Sequence, residues 1–351
     1  MSEASLRTGV VVDNRYLEHD AGPYHVESPE RLRAIYKLFE ESDFKNKFIH
    51  VEPRQATHEE LSWNHTKGHI KRIAATAGKA FSYLDPDTRT SETSYDVALL
   101  AVGGVFSLID TLFDKKTTNG FALVRPPGHH AEADQAMGFC LFNNIALGAH
   151  YLINCYGLKR ILIVDWDIHH GNGTQHSFYD RPDVLYFSTH QFPYYPGTGN
   201  FAETGSGAGE GYTVNVPLPG GQDEGEYMAI FQNILRPVAL EYKPEIVLVS
   251  AGFDIYYQDP LGTMQVTEKG FAGLTRILMD IAETCCQGRL LLVLEGGYNV
   301  MGQKESVRAV LDELSGTSIL GQGFVPPGKN QASVVIKKVR DVHKKYWSCF
   351  R

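Results

Sequence analysis

Short runs of apolar, often β-branched residues recur along the chain, separated by longer stretches in which apolar positions return every three or four residues. The short runs are GVVV (9–12), GFALV (120–124), RILIV (160–164), VLYFS (184–188), EIVLVSA (245–251) and LLLVL (290–294), and they predict buried strands. The longer stretches predict helices over 28–39, 94–113, 144–156, 224–242, 268–286 and 300–314. Ser28 before Pro29 marks one helix start, and Thr57 with Glu60 has the spacing of a capping box. The alternation predicts an α/β fold: a single mainly parallel sheet with helices on both faces and ligands outside the carboxyl ends of the strands. Without an internal repeat or long linker, one domain over 1–351 is the simplest reading, with 321–330 as a loop leading to a basic C-terminal helix.

Composition narrows the class. With 43% hydrophobic and 21% charged residues the chain has the make-up of a globular protein, and a formal net charge of −8 without a basic stripe argues against nucleic acid as a direct partner. The five cysteines have no C-x-x-C spacing and are odd in number, which fits a reducing cytoplasm rather than a disulfide framework. No apolar signal core opens the chain, and no stretch is read as approaching the roughly 20 apolar residues of a membrane helix, so no membrane partner is expected.

The unusual polar residues gather just past strand ends. DWDIHHGNGTQ follows RILIV, GFD follows EIVLVSA, EGGY follows LLLVL, and RPPGHHAE follows GFALV. Asp167 and His169 can turn a carboxylate and an imidazole toward one point, and Asp254 from another strand can complete three ligands. Three protein ligands plus an open position is the layout of a catalytic zinc site. Two carboxylate ligands already offset much of the Zn²⁺ charge, so a separate general base is expected, and the adjacent pair His129 and His130 can supply it.

RPPGHHAE, GFCLFNN, DWDIHHGNGTQ, PGTG, SAGFD, DPLG and EGGY, in this order, together with SPERLRAI near the start, resemble the histone deacetylase and acetylpolyamine amidohydrolase superfamily in its class II branch. The resemblance implies the arginase-deacetylase fold and one catalytic zinc on Asp167, His169 and Asp254. It implies that His129 and His130 are the active-site histidines, backed by Asp165 and Asn172 respectively. An amide raises an imidazole pKa less than a carboxylate does, so His129 is expected charged and His130 neutral and basic. Tyr298, on a flexible Gly296–Gly297 hinge, would polarise the scissile carbonyl. Phe139 and Tyr195 would line a substrate tunnel, with Leu261 at the place an acidic gatekeeper holds in polyamine-selective relatives. The resemblance also implies a structural K⁺ or Na⁺ held by Asp165, Asp167, His169, Ser188 and Thr189, and a second near Phe178, Arg181 and Val184.

The expected reaction is hydrolysis of the amide of an acylated lysine in a peptide or protein, with a small acylated amine such as an acetylpolyamine as the alternative substrate. Homo-oligomers are compatible with the sequence. A binuclear ureohydrolase would need further bridging carboxylates where Gly171 and Tyr256 stand. A non-catalytic acyl-binding module would be expected to lose a histidine or the tyrosine, and all three are kept.

Overall fold

The computed structural model describes residues 7–321 and 332–351. Its strands are β1 (Thr8–Val11), β2 (Ile49–His50), β3 (Ser82–Tyr83), β4 (Arg89–Thr90), β5 (Asn119–Ala122), β6 (Ile161–Asp165), β7 (Val184–Gln191), β8 (Thr213–Leu218), β9 (Ile246–Ala251) and β10 (Leu290–Leu294). Eight of them form one sheet in the order β2-β1-β5-β10-β9-β6-β7-β8, and every neighbouring pair is parallel. β3 and β4 make a separate antiparallel pair.

Helices cover both faces, and the register shows why. Gly9 and Gly120 are partners across β1 and β5, and a Cβ at either would collide with Leu108 of the helix Ser94–Phe113. Thr8 and Asn119, one residue earlier and so on the opposite face, hydrogen-bond the Leu314 carbonyl at the end of the helix Val300–Leu314. The helix Asn144–Tyr156 packs beside Ser94–Phe113, and Glu268–Cys286 beside Val300–Leu314.

Several expectations are corrected. The helix Ser94–Phe113 is long and apolar enough by composition to cross a membrane, contrary to the reading that nothing approaches that length. Most of it is buried between the sheet and its neighbour helix, and burial on most sides accounts for its apolarity. The first helix stops earlier, Pro29–Tyr36, and continues as a 3₁₀ turn, Lys37–Glu40. The stretch 224–242 is broken by a π turn, Phe231–Leu235. Pro237 has no N–H to offer the Asn233 carbonyl, which accepts from Arg340 of the helix Ala332–His343 at 3.1 Å instead. The capping box at Thr57 is present, heading His58–Leu61. The loop read over 321–330 lies, apart from Gly321, outside the described residues.

Candidate active site

Because the sheet is parallel, the carboxyl ends of β5, β6, β7, β9 and β10 open on one side, and each delivers a polar residue there. Asp167 and His169 follow β6 and Asp254 follows β9. All three are buried, and one donor atom from each lies within 4.8 Å of the others. The backbone fixes this focus: the Ile168 N–H donates to Asp254 Oδ1 at 2.8 Å, and the His169 N–H to Asp167 Oδ1 at 2.9 Å.

Two buried carboxylates this close repel one another. Burial and the charge of Asp167 push the Asp254 carboxyl up to about 7. Against the opposing effect of burial, Asp167 and Asp254 raise His169 to about 9. The focus therefore draws positive charge. Among the described residues the buried Asp254 Oδ2 has no hydrogen-bond partner and lies 3.2 Å from His169 Nδ1, as two ligand atoms of one metal would. A side chain on Gly296 would strike the carboxylates of Asp254 and Asp167, so the wall of the site must be glycine. This donor set, two carboxylates and an imidazole with no fourth ligand in the group, suits a divalent metal with an open position.

His129 and His130 leave the loop after β5 with their rings 4.0 Å apart. His129 Nδ1 lies 3.1 Å from Asp165 Oδ2, and His130 Nδ1 lies 2.7 Å from Asn172 Oδ1. Burial opposes charge on His129, but Asp165, Asp167 and Glu295 raise it to about 10. Burial, then the neighbouring His129 and His169, hold His130 well below the ordinary imidazole range. A divalent cation on Asp167 would weaken that residue's pull on His129 while leaving Asp165 in contact.

A cavity of about 440 Å³ reaches these groups from the surface, lined by His130, His169, Phe139, Tyr195, Leu261 and Tyr298 among others. The Phe139 and Tyr298 rings meet edge to face at 5.8 Å, and Tyr195 stands edge-on to His130 at 5.1 Å. Burial keeps the Tyr298 phenol protonated. Ser188 and Thr189, in β7, are buried beside Asp165, with Ser188 as its register partner.

Sequence reasoning missed the residues that hold these in place. Glu295 accepts from the Gly128 and His129 N–H groups at 2.6 and 3.1 Å. Asp259 accepts from the Tyr298 and Asn299 N–H groups at 2.6 and 3.0 Å. Arg31 donates to the Gly297 carbonyl at 2.7 Å and stands over the Tyr298 ring, and buried Glu27 ties Arg31 to Arg125. These contacts correct the hinge expectation: Gly296 and Gly297 are buried, and Gly296 donates to Asp167 Oδ2 at 2.9 Å. Tyr194, stacked on His169 at 5.7 Å, was also missed. The only signal for Glu295 and Asp259 was their place inside EGGY and DPLG.

The histone deacetylase domain family matches residues 25–314. A probable deacetylase of Archaeoglobus fulgidus is 38% identical over 98% of this chain and 99% of its own length. Histone deacetylase 15 of Arabidopsis thaliana is 42% identical over 90% of this chain, and the polyamine deacetylase HDAC10 of Danio rerio 38% over 93%. The chain spans only 58% of that plant relative and 50% of that fish relative. The crystal structure of the HDA15 HD domain matches with a TM-score of 0.91 and 38% identity over 98% of each chain.

Proposed function

The chain belongs to the histone deacetylase family, and on that premise we propose that it is a zinc-dependent hydrolase of the amide in N-ε-acyl-lysine, acting as a single catalytic domain. One observation carries the reading: the buried Asp167, His169 and Asp254 focus lies at a cavity that His130 and Tyr298 also line. Those three residues would hold a zinc ion, which when bound would supply Lewis acidity to the scissile carbonyl and acidify water.

The chain's own groups do the rest. Asn172 occupies His130 Nδ1, which leaves Nε2 to take the proton from water and return it to the departing amine. His129, kept positive by Asp165, stabilises the negative charge that develops nearby. The Tyr298 hydroxyl donates to the oxyanion, held by Asp259 on its backbone and Arg31 over its ring. Phe139 and Tyr195 flank the methylenes of the lysine stem, for which a narrow apolar slot is suited.

Asp165, Asp167, His169, Ser188 and Thr189 are the proposed holders of a structural K⁺ or Na⁺, largely through backbone carbonyls, a reading supported by their burial and by the pairing of Asp165 with Ser188 across β6 and β7. The free cysteines fit a reducing compartment such as the cytoplasm. The test is release of carboxylate from acetyl-, longer-acyl- and trifluoroacetyl-lysine peptides and from acetylated polyamines, with and without a zinc chelator. Chelator-sensitive turnover of the peptides supports the proposal. Turnover indifferent to metal, or binding without release, overturns it.

A further inference from the structure

Resting on the reading of His130 as the base, we propose that Glu132 is a positioning residue whose carboxylate fixes the Asn172 amide and, through it, the tautomer of His130. An asparagine side chain is nearly symmetrical in shape and opposite in polarity at its two ends, so its orientation follows from its partners. Around Asn172 Nδ2 stand the Glu132 carboxylate at 2.5 Å, the His130 carbonyl at 3.3 Å and the Met137 sulfur at 3.5 Å. All three accept hydrogen bonds, and the carboxylate is by far the nearest.

The polarity then runs one way. An ionised carboxylate only accepts, so it takes the Asn172 NH₂ group. Oδ1 is thereby turned to His130, where at 2.7 Å it can only accept, so His130 must carry its proton on Nδ1. The lone pair falls on Nε2, where a base for the cavity needs it. Turned over, the amide would present N–H to the imidazole and draw the lone pair to Nδ1, the unproductive nitrogen.

Glu132 is built to hold this position. Its N–H donates to the Gln135 carbonyl at 2.9 Å, and its own carbonyl accepts from His65 Nδ1 at 2.9 Å. Its carboxylate meets His176 Nδ1 at 2.9 Å, and the two line a second cavity of about 270 Å³ with Trp63 and Arg181, apart from the residues that line the substrate cavity. The hydrogen bond to Glu132 raises the His176 pKa, so the imidazole on the solvent side helps hold the carboxylate in place.

Glu132→Ala should lower kcat by about tenfold to a hundredfold, with KM and zinc content unchanged. Asn172→Asp removes the need for Glu132, because either carboxylate oxygen accepts from His130. In the presence of Glu132 it places two like charges in contact. The single variant Asn172→Asp should therefore be impaired, and Glu132→Ala with Asn172→Asp should have a higher kcat than Glu132→Ala, with its pH–rate profile moved to higher pH because His130 then faces a carboxylate. If Glu132→Ala unfolds early, Glu132→Met keeps the bulk and carries the same expectations. Wild-type kcat in the single Glu132 variant, or a double variant no better than that single one, overturns the proposal. His130→Ala separates it from the reading beneath it. If that variant keeps chelator-sensitive turnover, His130 is not the base and both fall; if it is inactive, the Glu132 variants decide the inference alone.

Discussion

His129 and Asp165, both buried, meet through Nδ1 and Oδ2 at 3.1 Å, and Tyr186 adds a hydroxyl to the same carboxylate oxygen at 3.1 Å. The adjacent His130 meets a neutral amide instead. Two neighbouring imidazoles thus have opposite protonation tendencies: against the effect of burial Asp165, Asp167 and Glu295 raise His129, while burial and then His129 and His169 lower His130.

Asp165→Asn tests that division. It removes the charge in contact with His129 while keeping its shape, and should lower kcat by about tenfold or more with zinc retained. Steady-state kinetics beside metal analysis decides it, and an unchanged kcat would show that His129 needs no counter-charge.

Tyr298→Phe should lower turnover by about a hundred- to a thousand-fold while zinc content stays at the wild-type level, because the hydroxyl is proposed to act on developing charge and not on the metal. Equal losses of activity and metal would make the tyrosine structural.

Metal analysis should return one zinc per chain, lost in Asp254→Ala. Chelation should lower the Tm, since removing the cation leaves the buried Asp167 and Asp254 carboxylates facing one another. Two tightly bound divalent ions per chain would overturn the single-zinc assignment.

His343 supplies a pH test away from the site. Burial, then Lys345, lower its pKa to about 4, and neither ring nitrogen has a hydrogen-bond partner among the described residues. The unfolded chain takes up this proton near pH 6.5 and the folded one only near 4, so wild-type stability is lost as pH falls through that window. Against His343→Leu, which cannot titrate, wild type should lose about 1.4 kcal/mol per pH unit between those limits and nothing above pH 7. Urea unfolding of both proteins from pH 7.5 to 4.5 measures the gap, and a constant gap would mean the ring is charged inside the fold.

The sequence carried the metal focus because Asp167, His169 and Asp254 sit directly after strands that read as apolar runs, so their shared side of the sheet follows from parallel topology. The edges were less legible. β2 has two residues, and β8 contains Pro217 and Asn215, which hide an edge strand from any hydrophobic pattern. Arg31 and Glu27 were invisible as site residues because the contacts that tie them to the site cross more than 90 residues of chain, from Arg31 in the first helix to Gly297 and from Glu27 just before it to Arg125. Among aromatics, Tyr195 was assigned to the tunnel but Tyr194 was not, since adjacent positions in a loop have no periodicity to divide them.

The expected preference for acyl-lysine over acetylpolyamine rests on Leu261. It lines the substrate cavity, with its N–H on Asp259 at 2.9 Å and its carbonyl accepting from the Tyr194 hydroxyl at 3.0 Å, so its place at the mouth is fixed from both sides. A polyamine brings a second ammonium to that mouth, and an apolar side chain gives it no partner, whereas leucine can pack against a peptide. Two nearby carboxylates have to be weighed. Asp85 is occupied by its own turn, accepting from the Asp87 and Thr88 N–H groups. Asp87 lines the cavity and is exposed, so its attraction for a distal cation is screened by water, and it is equally suited to accept from the backbone N–H groups of a bound peptide. The expected result is a higher kcat/KM for an acetyl-lysine peptide than for acetylspermidine or acetylputrescine. Leu261→Glu should move the ratio toward the polyamine by about tenfold, through a carboxylate at the cavity mouth. A tenfold advantage for the polyamine in the wild-type enzyme would overturn the assignment and make Asp87 the first residue to replace.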